Sequence, residues 1–198
     1  MPKPPPYAVP LREISDDPIH RTFTVPPALV SEWLKGLPMR DALGAPDEDP
    51  NAGTGKAELD IYAEGAHVFT TGTFKGDLTV ACSRCVEPVK LVIDERLMVT
   101  FLPKAEMPLD EEAPEAEEGA EVPAEDLDVF PYEGEFIDLE PLFREQFVLS
   151  VPYAPLCRED CKGLCPQCGI DRNSGTCSCE KPVDPRLAGL KGLKLPSA

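Results

Sequence analysis

The chain has 198 residues, 36 acidic and 19 basic, so its formal net charge is −17. This length allows one hydrophobic core with a small appended module, and the negative field disfavours bare nucleic acid and favours basic partners. The charge is uneven along the chain: residues 153–198 hold seven bases and five acids (+2), so residues 1–152 carry −19. The 24 prolines indicate many extended connections and few long helices.

No targeting or membrane segment is evident in the sequence. The first six residues, MPKPPP, lack an apolar core, and nowhere do 18 uncharged apolar residues follow one another. We therefore expect a cytoplasmic protein without membrane association, whose cysteines stay reduced.

The N-terminal part of the chain predicts a short strand and then a helix. Apolar residues alternate with polar ones over Ile19–Val25, as in a half-buried strand. Pro26 and Pro27 suit the first turn of a helix over Ala28–Lys35, because the missing proline N–H would be unpaired there anyway. The apolar spacing of this helix places Trp33 in the core.

The stretch Asp41–Lys56 is polar and rich in Pro, Gly and Asp, so it predicts a loop. Its GTGK sequence is not a phosphate-binding loop, because Pro50 replaces the first required glycine and Ala57 the required Ser or Thr.

From Lys56 onward the sequence has a period of two. Apolar residues form three alternating runs: Ala57, Leu59, Ile61 and Ala63; Val68, Phe74, Leu78, Val80 and Cys82; Val89, Leu91, Ile93, Leu97, Val99 and Phe101. Three such runs in succession predict an α+β protein whose body is an antiparallel β-sheet, or a partly open barrel, with one face buried.

Two segments complete the predicted body. Residues 104–128 contain eleven acids and one base, which predicts a disordered loop that either solvates the body or attracts a basic protein. A second short helix is expected near Leu139–Leu149, with Pro141 in its first turn and Pro152 beyond its end. The body is thus expected to span residues 1–152.

Eight cysteines carry the chemistry of this sequence, and six of them lie between residues 157 and 179. The segment Cys165–Gly169, CPQCG, is typical of a zinc-ribbon knuckle, in which two thiolates face one ion. Two closely spaced pairs within fifteen residues of chain predict one set of four, Cys165, Cys168, Cys177 and Cys179. The second set is then Cys82, Cys85, Cys157 and Cys161, which would pack the cysteine-rich tail, residues 153–198, on the body.

Zinc is the metal that this pattern favours, as one or two structural ions with no open coordination position. Iron–sulfur ligation is the second choice, and a disulfide framework or unpaired buried thiols are further alternatives. A redox role for Cys82 and Cys85 would require a helix after the pair, whose N-terminus lowers the thiol pKa, whereas a strand is predicted there.

The motifs resemble those of the YceD family, the large ribosomal RNA subunit accumulation proteins. The matching segments are CSRCVEP at residues 82–88, IDL at 137–139, VPYAPLC at 151–157, CKGLCPQCG at 161–169 and DPRLA at 184–188. The resemblance implies a factor needed for normal levels of large-subunit ribosomal RNA, to which no enzymatic activity is assigned.

The sequence shows no catalytic constellation or small-molecule site: His20 and His67 are far apart and neither has an evident partner. We expect a non-catalytic ribosome biogenesis factor that binds a basic ribosomal protein, large-subunit (23S) pre-rRNA, or both. Candidate contacts are the basic residues of the tail, Arg158, Lys162, Arg172, Lys181, Arg186, Lys191 and Lys194. A metal-dependent RNA-processing enzyme and a zinc-stabilised adaptor unrelated to RNA remain open as alternatives.

Overall fold

The computed structural model of the chain describes residues 5–43, 53–107 and 128–179. Its elements are strands β1 (Ala8–Pro10), β2 (Ile19–Val25), β3 (Gly53–Glu64), β4 (His67–Ala81), β5 (Pro88–Pro103), β6 (Val129–Tyr132) and β7 (Phe136–Asp138), and helices α1 (Pro27–Trp33), α2 (Pro38–Asp41) and α3 (Glu140–Leu149). Single 3-10 turns lie at Leu11–Glu13 and Lys104–Glu106. Among these described residues, no helix is long and apolar enough to cross a membrane.

The body is an open five-stranded sheet in the order β2-β3-β4-β5-β6. The first four strands are antiparallel neighbours, and β6 pairs with the end of β5 in parallel. The predicted antiparallel sheet is confirmed, and among the described residues it does not close into a barrel, because β2 and β6 remain at opposite edges. A separate two-stranded ladder joins β1 to β7.

One face of the sheet is buried, as the alternation predicted. Ala57, Leu59 and Ile61 of β3 are buried, whereas Glu58 and Asp60 between them are exposed on the other face. Both predicted helices are confirmed near their expected bounds, and Trp33 lies in the core. The structure adds the short helix α2, which was not predicted.

An aromatic cluster fastens α3 to the sheet. The ring of Phe147 lies 5.4 Å from that of Phe74 and 5.9 Å from that of Trp33. A side chain at Gly55 would come within 2.8 Å of Phe74 and 2.9 Å of Phe147, so β3 must carry glycine where this helix approaches. The predicted loop Asp41–Lys56 is wrong at its end, because β3 begins at Gly53, where it pairs with Leu78 of β4.

The predicted acidic loop lies mainly outside the described residues. At its edges, Lys104–Glu106 form a 3-10 turn and Asp128 accepts a backbone hydrogen bond from Thr100 at the start of the β5–β6 pairing. The C-terminal part of the tail, residues 180–198, also lies outside the described residues.

Candidate metal centres

The first cysteine pair lies in the tight turn between the two longest strands. β4 ends at Ala81 and β5 begins at Pro88, so the sheet itself holds Cys82 and Cys85 in place. The Val86 N–H donates to the Cys82 carbonyl over 3.0 Å, and Val86 adopts a φ of 66°. A left-handed β-branched residue is strained, and the neighbouring contacts of the turn must offset that strain.

The second knuckle has the same backbone form with a glycine in the strained position. The Gly169 N–H donates to the Cys165 carbonyl over 2.9 Å, and Gly169 has a φ of 73°. Glycine adopts this conformation without steric cost. The two turns, CSRCV and CPQCG, therefore present their paired thiols in the same manner from different parts of the chain.

The sulfurs of Cys82, Cys85, Cys157 and Cys161 all lie within 4.8 Å of one another. We call this group the first tetrad. Two of its sulfur–sulfur distances are 3.8 Å, between Cys82 and Cys161, and 3.6 Å, between Cys85 and Cys157. Tetrahedral zinc with Zn–S bonds of about 2.3 Å separates its sulfurs by about 3.8 Å. The first tetrad therefore has the size of a single-ion site.

Backbone contacts seat the tail beside the first cysteine turn. Ser83 N–H donates to the Pro155 carbonyl over 2.8 Å, and Leu164 N–H donates to the Arg84 carbonyl over 2.9 Å. The Arg84 guanidinium donates to the Cys161 carbonyl over 2.8 Å. At Gly163, with a φ of 68°, a side chain would come within 2.7 Å of the Arg84 carbonyl oxygen. Glycine is needed at this position on both grounds.

The second tetrad lies wholly within the tail. The sulfurs of Cys165, Cys168, Cys177 and Cys179 also lie within 4.8 Å of one another. Cys165 is buried and Cys168 is exposed, whereas three members of the first tetrad form a buried cluster with Val89 and Leu156 packed against it. No disulfide joins any of the eight cysteines.

The thiol pKa values within each tetrad diverge. Burial alone would raise the pKa of Cys82, but hydrogen bonds from backbone N–H groups, including that of Arg84, lower it to about 6. Burial and the neighbouring sulfurs raise the pKa of Cys85 to about 12. In the second tetrad, backbone hydrogen bonds from the CPQCG turn lower the pKa of Cys165 to about 6. A side-chain hydrogen bond with Cys168 raises the pKa of Cys179 to about 12. Four thiolates this close repel one another, so a cation is needed to ionise them all.

The family model described as "Large ribosomal RNA subunit accumulation protein YceD" matches residues 70–194, a stretch that contains all eight cysteines. The chain belongs to the YceD family. Among curated proteins it is similar to uncharacterized proteins of Mycobacterium bovis and of two strains of Mycobacterium tuberculosis. Each is 33% identical over 135 residues, covering 67% of this chain and 59% of the relative, so the chain spans less than two thirds of these relatives' length. No solved structure matches the chain.

Within this YceD protein, three of the seven predicted basic contacts are described, and all three are exposed. Lys162 N–H donates to the Asn173 side chain over 2.8 Å and Arg172 N–H donates to the Gly163 carbonyl over 3.0 Å, so Lys162 and Arg172 stand on adjacent segments. Arg158 Nε lies 3.4 Å from an Asp160 carboxylate oxygen. The other four, Lys181, Arg186, Lys191 and Lys194, lie outside the described residues.

Both histidines of this YceD protein have carboxylate partners, which the sequence did not indicate. His20 lies 2.9 Å from Asp60, and His67 lies 2.9 Å from Glu106. Both pairs are exposed at the surface of the sheet. Within the described ranges, the groups of three or more potential metal ligands that lie close together are the two cysteine tetrads.

Sequence reasoning missed the residues around the sulfurs. Asn173 donates its side-chain amide to Cys161 Sγ over 3.5 Å, and Arg84 and Gly163 shape the seat of the tail. The signal for Gly163 was present, because a glycine between two cysteines of a tight motif marks a close approach. Asn173 carried no signal, since its partner lies twelve residues away on another turn.

Proposed function

We propose that this YceD protein is a non-catalytic cytoplasmic ribosome biogenesis factor that supports accumulation of large-subunit (23S) rRNA. In this proposal a zinc-fastened tail completes an acidic body that binds a basic ribosomal protein. The observation that supports it most is the first tetrad, which takes two sulfurs from the turn between β4 and β5 and two from the tail. The family's name supplies the link to large-subunit rRNA and describes no reaction.

Two zinc ions, one in each tetrad, agree with the donor chemistry. Four sulfurs within 4.8 Å of one another leave room for one ion, whereas an iron–sulfur cluster places several irons between its cysteines. Cysteine thiolates favour zinc in tetrahedral geometry, and four of them leave no open coordination position. Such ions would be structural, and the ion of the first tetrad would link the proposed body, residues 1–152, to the proposed tail, residues 153–198.

The charge of the filled protein favours a basic protein as the direct partner. Four thiolates and one Zn²⁺ carry a net charge of −2, so two filled centres would take the chain from −17 to −21. The net charge of +2 given above for residues 153–198 counts their cysteines as neutral, so it overstates how basic the zinc-loaded tail would be. A field of this sign attracts lysine- and arginine-rich proteins and repels phosphates.

A local contact with rRNA is the second candidate, and one observation favours it. The hydrogen bonds donated by Lys162 N–H and Arg172 N–H place two exposed basic residues of the tail on adjacent segments. Two phosphate contacts would add a weak, salt-dependent attachment and would not dominate affinity.

Sedimentation of the full chain with ribosomal particles tests the proposal. At low salt it should travel with large-subunit precursors and be released as salt rises, because both candidate contacts are electrostatic. The double variant Lys162→Ala/Arg172→Ala should sediment as the wild type does if a basic protein is the partner, and a clear loss would assign the contact to rRNA. The matched control is Lys75→Ala/Lys104→Ala, which removes two exposed cations from the body.

Two outcomes would overturn the proposal. Failure to sediment with ribosomal particles at any salt concentration would leave the unrelated zinc-stabilised adaptor. Cleavage of precursor rRNA by the purified protein with a divalent metal would establish the RNA-processing enzyme instead, provided that an acid-to-alanine change abolishes it.

A further inference from the structure

The side chain of Asn173 connects the two tetrads. It lies in the loop between Cys168 and Cys177, which belong to the second tetrad. Its amide nitrogen donates to Cys161 Sγ of the first tetrad over 3.5 Å, and its amide oxygen accepts from Lys162 N–H over 2.8 Å. One side chain from the loop of one centre therefore holds both a ligand of the other centre and the residue next to it.

The orientation of this amide is fixed from three sides. Asp171 Oδ1 accepts from the Asn173 backbone N–H over 2.9 Å and from its amide nitrogen over 2.7 Å. With the amide reversed, its oxygen would face a carboxylate and a sulfur, and its nitrogen would face the Lys162 N–H donor. All three of those contacts would be unfavourable, so the assigned orientation is the one the surroundings allow.

We propose that Asn173 is a positioning residue that couples the two metal centres, so that filling either centre raises the metal affinity of the other. This inference rests on the proposed binding of zinc at both tetrads. Closing the second centre orders the loop between Cys168 and Cys177, which sets Asn173 against Cys161. Once that ordering is complete, the first centre binds its ion without the same loss of conformational entropy. Linkage makes the effect reciprocal and equal in both directions.

Two backbone hydrogen bonds also tie the surroundings of one tetrad to those of the other. Arg172 N–H donates to the Gly163 carbonyl, and Leu164 N–H donates to the Arg84 carbonyl. They do not depend on the Asn173 side chain, so some coupling should persist without it. A coupling of about 5- to 150-fold in affinity is typical between linked sites. Because a hydrogen bond to a charged group is among the stronger ones, we expect Asn173→Ala to reduce the coupling by about tenfold.

Native mass spectrometry of the full chain during a zinc titration measures the coupling directly. At half saturation the wild type should show chains with no ion and chains with two, and few with one. Asn173→Ala should accumulate the one-ion form, and so should Asn173→Asp, which keeps the shape but replaces the amide donor with an acceptor. Ser174→Ala is the matched control and should leave the distribution unchanged, since in the described part of the chain the Ser174 hydroxyl donates to Asp171 and to no sulfur.

A spectroscopic readout separates positioning from general destabilisation. With cobalt(II) as the probe in both centres, Asn173→Ala should move the sulfur-to-cobalt charge-transfer band to lower energy, because the thiolate of Cys161 loses a hydrogen-bond donor. Ser174→Ala should not move it. Circular dichroism of the sheet confirms that each variant is folded.

The possible outcomes are distinct. A wild type that binds two ions with a statistical share of one-ion chains would overturn the coupling and leave the zinc sites in place. An Asn173→Ala distribution equal to that of the wild type would overturn the role of Asn173. A wild type that binds no ion would overturn the proposed zinc sites together with the coupling.

Discussion

Replacing one ligand in each tetrad should have unequal effects on the stability of the sheet. Cys82 belongs to the turn between β4 and β5 and is 1% exposed, whereas Cys168 is exposed and lies in the tail. The variants Cys82→Ser and Cys168→Ser should each bind one zinc fewer than the wild type. Cys82→Ser should weaken the sheet more, because only the first tetrad takes ligands from the turn that joins two strands of the sheet.

The expected loss for Cys82→Ser has two parts. A serine hydroxyl buried at this site without a partner costs about 1–3 kcal/mol. Loss of an ion that binds only the folded state costs about 2.7 kcal/mol when free zinc is 100 times its dissociation constant. Together they lower the free energy of unfolding by about 4–6 kcal/mol, a large share of the 5–15 kcal/mol of a typical domain. For Cys168→Ser we expect a smaller loss of about 1–3 kcal/mol, which reaches the sheet through the weaker zinc affinity of the first tetrad when the second is empty.

Urea unfolding followed by the fluorescence of Trp33 is the assay. This residue is the single tryptophan and is buried against Phe147 under the sheet, so its signal reports the body and not the tail. In excess chelator the wild type loses its metal contribution, and its difference from Cys82→Ser should shrink to the hydroxyl cost of about 1–3 kcal/mol. Equal losses for the two variants in zinc would refute the reasoning that the first tetrad supports the sheet more than the second does.

Three further predictions concern the turns and the outer face of the sheet. Gly163→Ala should weaken metal retention by the first tetrad in a competition with chelator, because a methyl group there meets Arg84; Gly169→Ala, which has a positive φ but open space, should weaken it far less. Val86→Gly should raise the free energy of unfolding by about 1 kcal/mol, because glycine tolerates the left-handed conformation, and a lower urea midpoint would contradict this. Hydrogen bonds from the Lys90 side chain and from Thr54 hold the pKa of Asp77 below its usual range. The ionised carboxylate therefore stabilises the fold above the unfolded pKa of about 3.9, and this stabilisation is lost as pH falls through the folded pKa. Asp77→Asn should therefore lower the free energy of unfolding at pH 7 by no more than about 1 kcal/mol, because the partner Lys90 is exposed, and the variant should match the wild type in strong acid.

The parts of the fold that sequence reasoning predicted are those with a regular period. Alternation over residues 57–101 gave the three central strands, because a half-buried strand needs an apolar side chain at every second position. The spacing of Leu142, Phe143 and Phe147 gave the buried face of α3 for the corresponding reason in a helix. The cysteine spacing also led to the two groups of four sulfurs that the structure brings together.

The parts that were missed depend on contacts between distant segments. β1 and β7 are three residues long and pair across more than 120 residues, so neither has a period of its own. The parallel pairing of β6 with β5 depends on where the chain returns to the sheet. Val86 gave no sign of its left-handed backbone, because valine is among the residues least expected there.

The zinc content of the purified full chain tests the central claim most directly. Elemental analysis together with titration of accessible thiols should give two zinc ions per chain and no reactive thiol until a chelator is added. One ion or none, or sulfurs joined to one another as disulfides, would contradict the account of two zinc centres, the first of which fastens the tail to the sheet.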